Sequence, residues 1–156
     1  MAKRSAGLLL YRRRNQAIEV FLVHPGGPFW AKKDLGAWSI PKGEYTEDED
    51  PLAAARREFE EETGFPAPAN AVPLGEIKQA GGKLVTAWAS EGDCDPAKLV
   101  SNTCEIEWPP RSGRMQTFPE VDQAAFFRLE EAEQRINQAQ LPLLHELRAK
   151  LSPVRD

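Results

Sequence analysis

Two near-continuous apolar runs stand close to the N-terminus, Ser5–Tyr11 (Ser-Ala-Gly-Leu-Leu-Leu-Tyr) and Ile18–His24 (Ile-Glu-Val-Phe-Leu-Val-His). Arg12 to Gln16 between them are polar, so the pair predicts a β-hairpin. Pro25-Gly26-Gly27-Pro28 ends the second run and opens a loop to about Gly36. Ala37 to Ile40 predict a short strand feeding Pro41-Lys42-Gly43. A helix is predicted from Pro51, with Asp50 as N-cap, Pro51 at the first helical position and Gly64 as the stop. Leu52, Ala55 and Phe59 give it an apolar face. Strands are predicted near 73–79, 83–90 and 103–107, with Gly81-Gly82 as a turn between the first two. Trp108–Pro119 reads as a loop and Ala124–Leu129 as a strand. Residues 130–139 and 142–151 read as helices, the second with Leu143, Leu144, Leu147 and Leu151 on one face. Strands and helices mix without regular alternation, which predicts an α+β layered domain. At 156 residues the chain reads as a single domain spanning 1–156.

Charge changes the picture. The net charge is −4, but Glu44–Glu62 alone carries nine acids and two arginines, a balance of −7, against +3 for the rest. The two cysteines, Cys94 and Cys104, are too few for a disulfide scaffold, and their spacing is no metal motif. They read as buried thiols. The basic start at Met1 is followed by an apolar run too short for a signal core. No stretch approaches the roughly 18 apolar residues of a spanning helix. The reading is a soluble, cytoplasmic protein with no membrane contact.

The acidic block is organised. Glu58, Glu61 and Glu62 stand at i, i+3 and i+4, one face of the predicted helix. Three carboxylates there repel one another, and a structural helix gains nothing from it. A hard divalent cation with oxygen ligands turns the arrangement favourable. The opposite apolar face pins the helix to a core, so the ligands sit on a rigid element. Arg57 has two readings. It pairs with Glu49 and clamps the loop entering the helix, which we favour, or it forms an exposed i, i+4 pair with Glu61.

The segment Gly43–Phe65 resembles the signature box of the Nudix hydrolases. That box runs Gly, five residues, Glu, seven residues, Arg-Glu, a bulky apolar residue, any residue, Glu-Glu, any residue, Gly, apolar. Gly43, Glu49, Arg57, Glu58, Phe59, Glu61, Glu62, Gly64 and Phe65 fill every defined position without insertion. The resemblance implies a Nudix fold, a mixed β-sheet sandwiched between α-helices. It implies hydrolysis of a nucleoside diphosphate linked to another group, with Mg²⁺ or Mn²⁺ as cofactor. Carried over, Glu58, Glu61 and Glu62 are the metal ligands, joined by the Lys42 carbonyl. Glu120, in Phe118-Pro-Glu-Val-Asp122, resembles a further ligand or base outside the box in the diadenosine tetraphosphate hydrolase branch. Glu58 or Glu62 with Glu120 are the base candidates. Gly43, Glu49, Arg57 and Gly64 are the structural positions of the box.

The entry Trp38-Ser-Ile-Pro-Lys-Gly43 is similar to diadenosine polyphosphate hydrolases and to bacterial nucleoside triphosphate pyrophosphohydrolases. The implied partner is therefore a small nucleotide, a diadenosine polyphosphate or a nucleoside triphosphate. Lys42 is a candidate phosphate contact. Arg111 and Arg114, in a Gly- and Pro-containing loop near Glu120, are candidates for distal phosphates. Two alternatives stand beside hydrolysis of a small nucleotide. One is a nucleotide sensor without turnover. The other is an RNA 5′-pyrophosphohydrolase, for which +3 outside the box is a slight basic balance. Three features depart from familiar patterns: the missing Pro-Gly-Glu turn in Glu44–Glu49, the Pro25–Asp34 loop, and the Trp108–Pro119 segment. Trp30 reads as packing its loop onto the core, His24 as a satisfied structural histidine, and His145 as a surface residue. The sequence leaves oligomeric state open.

Overall fold

The structure, a computed structural model, describes residues 3–151. The first two residues of the basic start and the last five residues of the chain lie outside that range. Both predicted apolar runs are strands, β1 (Arg4–Arg14) and β2 (Ala17–Pro25), paired antiparallel across a two-residue turn. Asn15 and Gln16 both have positive φ, 50° and 65°. That is the backbone a two-residue hairpin turn demands.

The runs are continuous because the sheet is covered on both faces. Leu8 and Leu10 of β1 point to one side with Phe21 and Val23 of β2. Leu9 and Tyr11 point to the other with Val20 and Leu22. The remaining elements are β3 (Lys42–Glu44), α1 (Pro51–Thr63), β4 (Val72–Lys78), β5 (Leu84–Glu91), β6 (Thr103–Glu107), β7 (Met115–Pro119), β8 (Val121–Arg128), α2 (Leu129–Arg135) and α3 (Leu141–Leu151). The main sheet runs β4-β5-β1-β2-β8, with β3 beside β1. β1 and β5 are parallel and the other pairs antiparallel, so the sheet is mixed. α1 packs on one face through Ala54, Ala55 and Phe59. α2 and α3 pack on the other through Leu129, Ala132, Leu143, Leu144 and Leu147. The architecture is the expected α+β sandwich. Among the described residues no helix is long and apolar enough to cross a membrane.

Three expected elements are corrected. Ala37–Ile40 is not a strand. Ser39 exchanges two 2.9 Å backbone bonds with Val23, and the strand that follows begins at Lys42. The Trp108–Pro119 segment is not all loop, because its second half, β7, pairs with β6 in a separate hairpin. Apart from Pro119 at the end of β7, the Pro and Gly residues that argued for loop are confined to its turn, where Arg111 and Gly113 have positive φ. The helix expected over 130–139 ends at Arg135. Ile136 is fully buried and Asn137 donates its N–H to the Trp38 carbonyl at 2.7 Å, so the chain turns inward there.

β1 is longer than any partner. Its second half pairs with β2 and its first half with β3, and this positions the site. β2 diverges toward β8, and residues 38–44 fill the gap between the two strands. Phe59 anchors α1 against that region. It is 1% exposed and its ring centroid lies 6.0 Å from that of Phe21. Phe59→Ala is expected to cost about 3–5 kcal/mol, read as a lowered urea midpoint. A midpoint within error of wild type would show that α1 is held elsewhere.

Candidate functional site

α1 begins as expected. Asp50 accepts a 3.0 Å bond from the Ala53 N–H, Pro51 follows, and Gly64 ends the helix at φ 77°. Its faces differ from the expectation in one respect. Leu52 is half-buried, and Ala54, Ala55, Phe59, Glu62 and Thr63 are the buried positions. Glu62 stands seven residues after Ala55, about two turns at 3.6 residues per turn, so it shares the core-facing stripe. Glu58 lies at the edge of that stripe, half-buried, and Glu61 is exposed. The three glutamates therefore form a gradient of burial.

Arg57 holds the outer part of this face. Its guanidinium donates to both oxygens of Glu49 at 2.8 and 2.9 Å. It also reaches Glu58 Oε1 at 2.9 Å and Glu61 at 3.3 to 3.4 Å. The two sequence readings are thus one network, with the bidentate Glu49 bond as its strongest part. Glu49 is held below the ordinary carboxylate value, chiefly by its hydrogen bond from Arg57.

β3 supplies the facing wall. Gly7 lies opposite Lys42, while the Leu8 N–H reaches the Pro41 carbonyl at 3.1 Å. In that register the Lys42 amide and carbonyl turn away from β1. The amide meets the Glu62 carboxylate. Gly43 lies directly against Glu58, and a Cβ there would overlap the Glu58 carboxyl group.

Lys42, Glu62 and Glu120 line one cavity of about 140 Å³ with Val23, Pro25, Ser39, Ile40 and Val121. Glu120, at the corner between β7 and β8, is brought there from 58 positions along the chain. Glu62 is 7% exposed, and its carboxyl is pushed up to about 8. Burial is the main cause, then the charges of Glu58 and Glu120, with Lys42 opposing. Glu58 moves in the same direction by burial, against Arg57. Burial also lowers the Lys42 ammonium, while the facing glutamates support its charge. Acidic oxygens thus crowd a shielded site with one ammonium to balance them. That all-oxygen donor set fits a hard divalent cation. Among the described residues no three acidic, His or Cys side chains are already gathered as a closed cage. Arg57 draws Glu58 and Glu61 toward Glu49, so the three carboxylates of this face are close but not converged.

The remaining candidates fall elsewhere. Arg111 and Arg114 lie on the exposed turn of the β6–β7 hairpin and do not line the cavity. His24 is structural, with Nδ1 2.8 Å from Asp122 and Nε2 2.6 Å from the Lys33 carbonyl. His145 is exposed. Trp30 does not pack on the core. It is exposed, with Lys33 Nζ 5.1 Å from its ring. Cys94 and Cys104 are half-buried rather than buried, and burial pushes the Cys94 thiol up to about 11. Sequence spacing did not reveal the wall residues Val23, Ser39 and Val121, because only the fold places them together.

The NUDIX domain model matches residues 1–147, and the chain belongs to the Nudix family of pyrophosphohydrolases. The fold is shared with the NUDIX domain of Shewanella oneidensis NrtR, solved with ADP ribose. That likeness has TM-score 0.67 at 17% identity, over 97% of this chain and 90% of that one. It is shared with a C. elegans Ap4A hydrolase, TM-score 0.64 at 23% identity, over 96% and 98%. A Nudix hydrolase from M. smegmatis follows, TM-score 0.59 at 22% identity, over 99% and 90%. Direct comparison with curated protein sequences gives no match.

Proposed function

We propose that the protein is a Mg²⁺- or Mn²⁺-dependent hydrolase of a pyrophosphate linkage in a small nucleotide, a diadenosine polyphosphate or a nucleoside triphosphate. The observation that carries this reading is the convergence of Glu62, Glu120 and Lys42 on one cavity, with Glu58 beside it against Gly43. Glu58, Glu61, Glu62, Glu120 and the Lys42 carbonyl are the proposed ligands. A bound divalent cation supplies charge neutralisation of the phosphate oxygens and a lowered pKa for water.

The chain's own groups do the rest. Lys42 presents an ammonium to a phosphate oxygen from the cavity wall. A carboxylate, Glu58 or Glu62 with Glu120, takes the proton of the attacking water. Water adds at phosphorus as the bridging oxygen departs with its phosphate or nucleotide. Positioning and electrostatics supply the acceleration, and no covalent protein nucleophile is used. Arg57 keeps Glu58 in place. Arg111 and Arg114, on the hairpin whose base carries Glu120, are proposed to reach distal phosphates of a longer substrate. The structure of an Ap4A hydrolase among the similar folds supports including dinucleoside polyphosphates.

The test is a substrate panel read by product chromatography with Mg²⁺ and with Mn²⁺. It holds diadenosine polyphosphates, normal and oxidised nucleoside triphosphates, ADP-ribose and a 5′-triphosphorylated RNA. Turnover of diadenosine polyphosphates or nucleoside triphosphates, abolished by chelator, is the expected result. Nucleotide binding without turnover of any member would overturn the hydrolase reading.

A further inference from the structure

Glu120 is held by its backbone on both sides. Its N–H donates to the Asn102 carbonyl at 2.9 Å, and its own carbonyl accepts the Gly26 N–H at 2.8 Å. The Asn102 N–H donates to the Glu61 carbonyl at 2.9 Å, so this strap starts on α1 itself. Ser101 ties the strap together. Its hydroxyl donates to the Asn102 carbonyl at 2.8 Å and accepts the Val121 N–H at 3.0 Å. On the other side Gly26 is pressed against the chain, and a Cβ there would overlap the Pro119 carbonyl oxygen. The same loop is braced on the β6–β7 hairpin. Phe29 meets Trp108 edge-on at 5.2 Å, and a Cβ on Gly27 would come within 3.0 Å of Ile106.

We infer that Gly26 and Ser101 are positioning residues for Glu120, fixing its carboxylate relative to Glu62 on α1. The inference rests on the reading of Glu120 as a metal ligand or base. The physical reason is that Glu120 lies on a corner between two sheets, where no continuous ladder sets its position. Two short straps, one from α1 and one from the loop after β2, replace that ladder. Gly26 contributes the absence of a side chain, and Ser101 contributes a hydroxyl that serves Asn102 and Val121 together. Neither needs to touch substrate.

The experiment compares Glu120→Gln, Gly26→Ala, Ser101→Ala and the two double variants carrying Glu120→Gln. Steady-state kinetics are measured on the full chain, with Mn²⁺ titration calorimetry of the metal-free protein. Gly26→Ala is expected to lower kcat by about 10–100-fold, as for other supports of a metal site. Ser101→Ala is expected to lower it about fivefold, one hydrogen bond's worth. KM should stay within about twofold of wild type, since uniform binding is untouched. Each substitution should weaken Mn²⁺ binding in the same direction as Glu120→Gln and add nothing in its background. Losses that multiply with Glu120→Gln would overturn the inference in favour of a general structural defect. Unchanged kcat and Mn²⁺ affinity in both single variants would also overturn it. If Gly26→Ala does not fold, Ser101→Ala, which removes one hydroxyl, decides the matter. A fully active Glu120→Gln would instead overturn the role given to Glu120, and the inference with it. Should no substrate turn over at all, the Mn²⁺ titration still reads the strap independently of the hydrolase reading.

Discussion

Glu62→Gln is expected to lower kcat by about 10²–10⁴-fold, the range for loss of an acid–base group, while the metal-free protein keeps its fold. Glutamine preserves the volume of the buried side chain and can still accept from the Lys42 amide. It removes the charge that the proposed metal requires and that burial disfavours. Wild-type turnover by Glu62→Gln would remove Glu62 from the proposed machinery.

The same variant tests the electrostatics without any substrate. The Glu62 carboxyl is pushed up to about 8 from 4.5 by burial and by Glu58 and Glu120. A carboxyl raised in the folded state binds its proton more tightly folded than unfolded. Its stabilising contribution is full below about pH 4.5 and is lost as pH rises through about 8. Metal-free wild type should therefore lose stability across that window, and Glu62→Gln should lose much less. One pKa unit corresponds to about 1.4 kcal/mol, so the difference is visible in melting temperatures taken from pH 5 to 8. Saturating Mg²⁺, which favours the ionised carboxylates, should flatten the wild-type slope. Parallel slopes for the two metal-free proteins would show that the buried charge is not their cause.

This coupling explains which parts of the site were legible in the sequence. The box is local: one helix, its N-cap, its glycine stop and the loop before it. Spacing alone therefore placed Glu58, Glu61 and Glu62 on one helix and paired Arg57 with Glu49. The apolar runs of β1 and β2 were legible because each is covered on both faces. Burial of Glu62 was not legible. It follows from α1 lying on β1 and β8 with residues 38–44 packed between the strands, contacts that span the whole chain. β7 was hidden because a short exposed strand next to a Pro- and Gly-containing turn carries little alternation. The end of α2 was hidden because Ile136 and Asn137 answer to Trp38, about a hundred residues earlier. Gly26 and Ser101 belong to the same class. A Gly-Gly pair reads as a turn, and a serine in a loop reads as nothing, until the fold places Pro119 and Asn102 beside them.

Gly43→Ala is expected to reduce kcat by about 10–100-fold and to raise the Mg²⁺ concentration needed for half-activation. The backbone does not forbid alanine here, because Gly43 lies in β3 and is not among the residues with positive φ. What forbids it is the Glu58 carboxyl, which occupies the place where a Cβ would stand. The backbone of β3 cannot retreat easily, since Gly43 is in register with Ala6, which is fully buried. Relief must therefore come from Glu58 swinging outward. That breaks its 2.9 Å bond with Arg57 and moves a proposed ligand away from Glu62. The defect should then depend on Glu58. In a Glu58→Ala background, where the overlapping carboxyl is gone, adding Gly43→Ala should cost little further stability or activity. An equal loss with and without Glu58 would place the role of Gly43 in the β1–β3 pairing instead. A Gly43→Ala enzyme with wild-type kcat and metal requirement would show that Glu58 need not hold the position it has here.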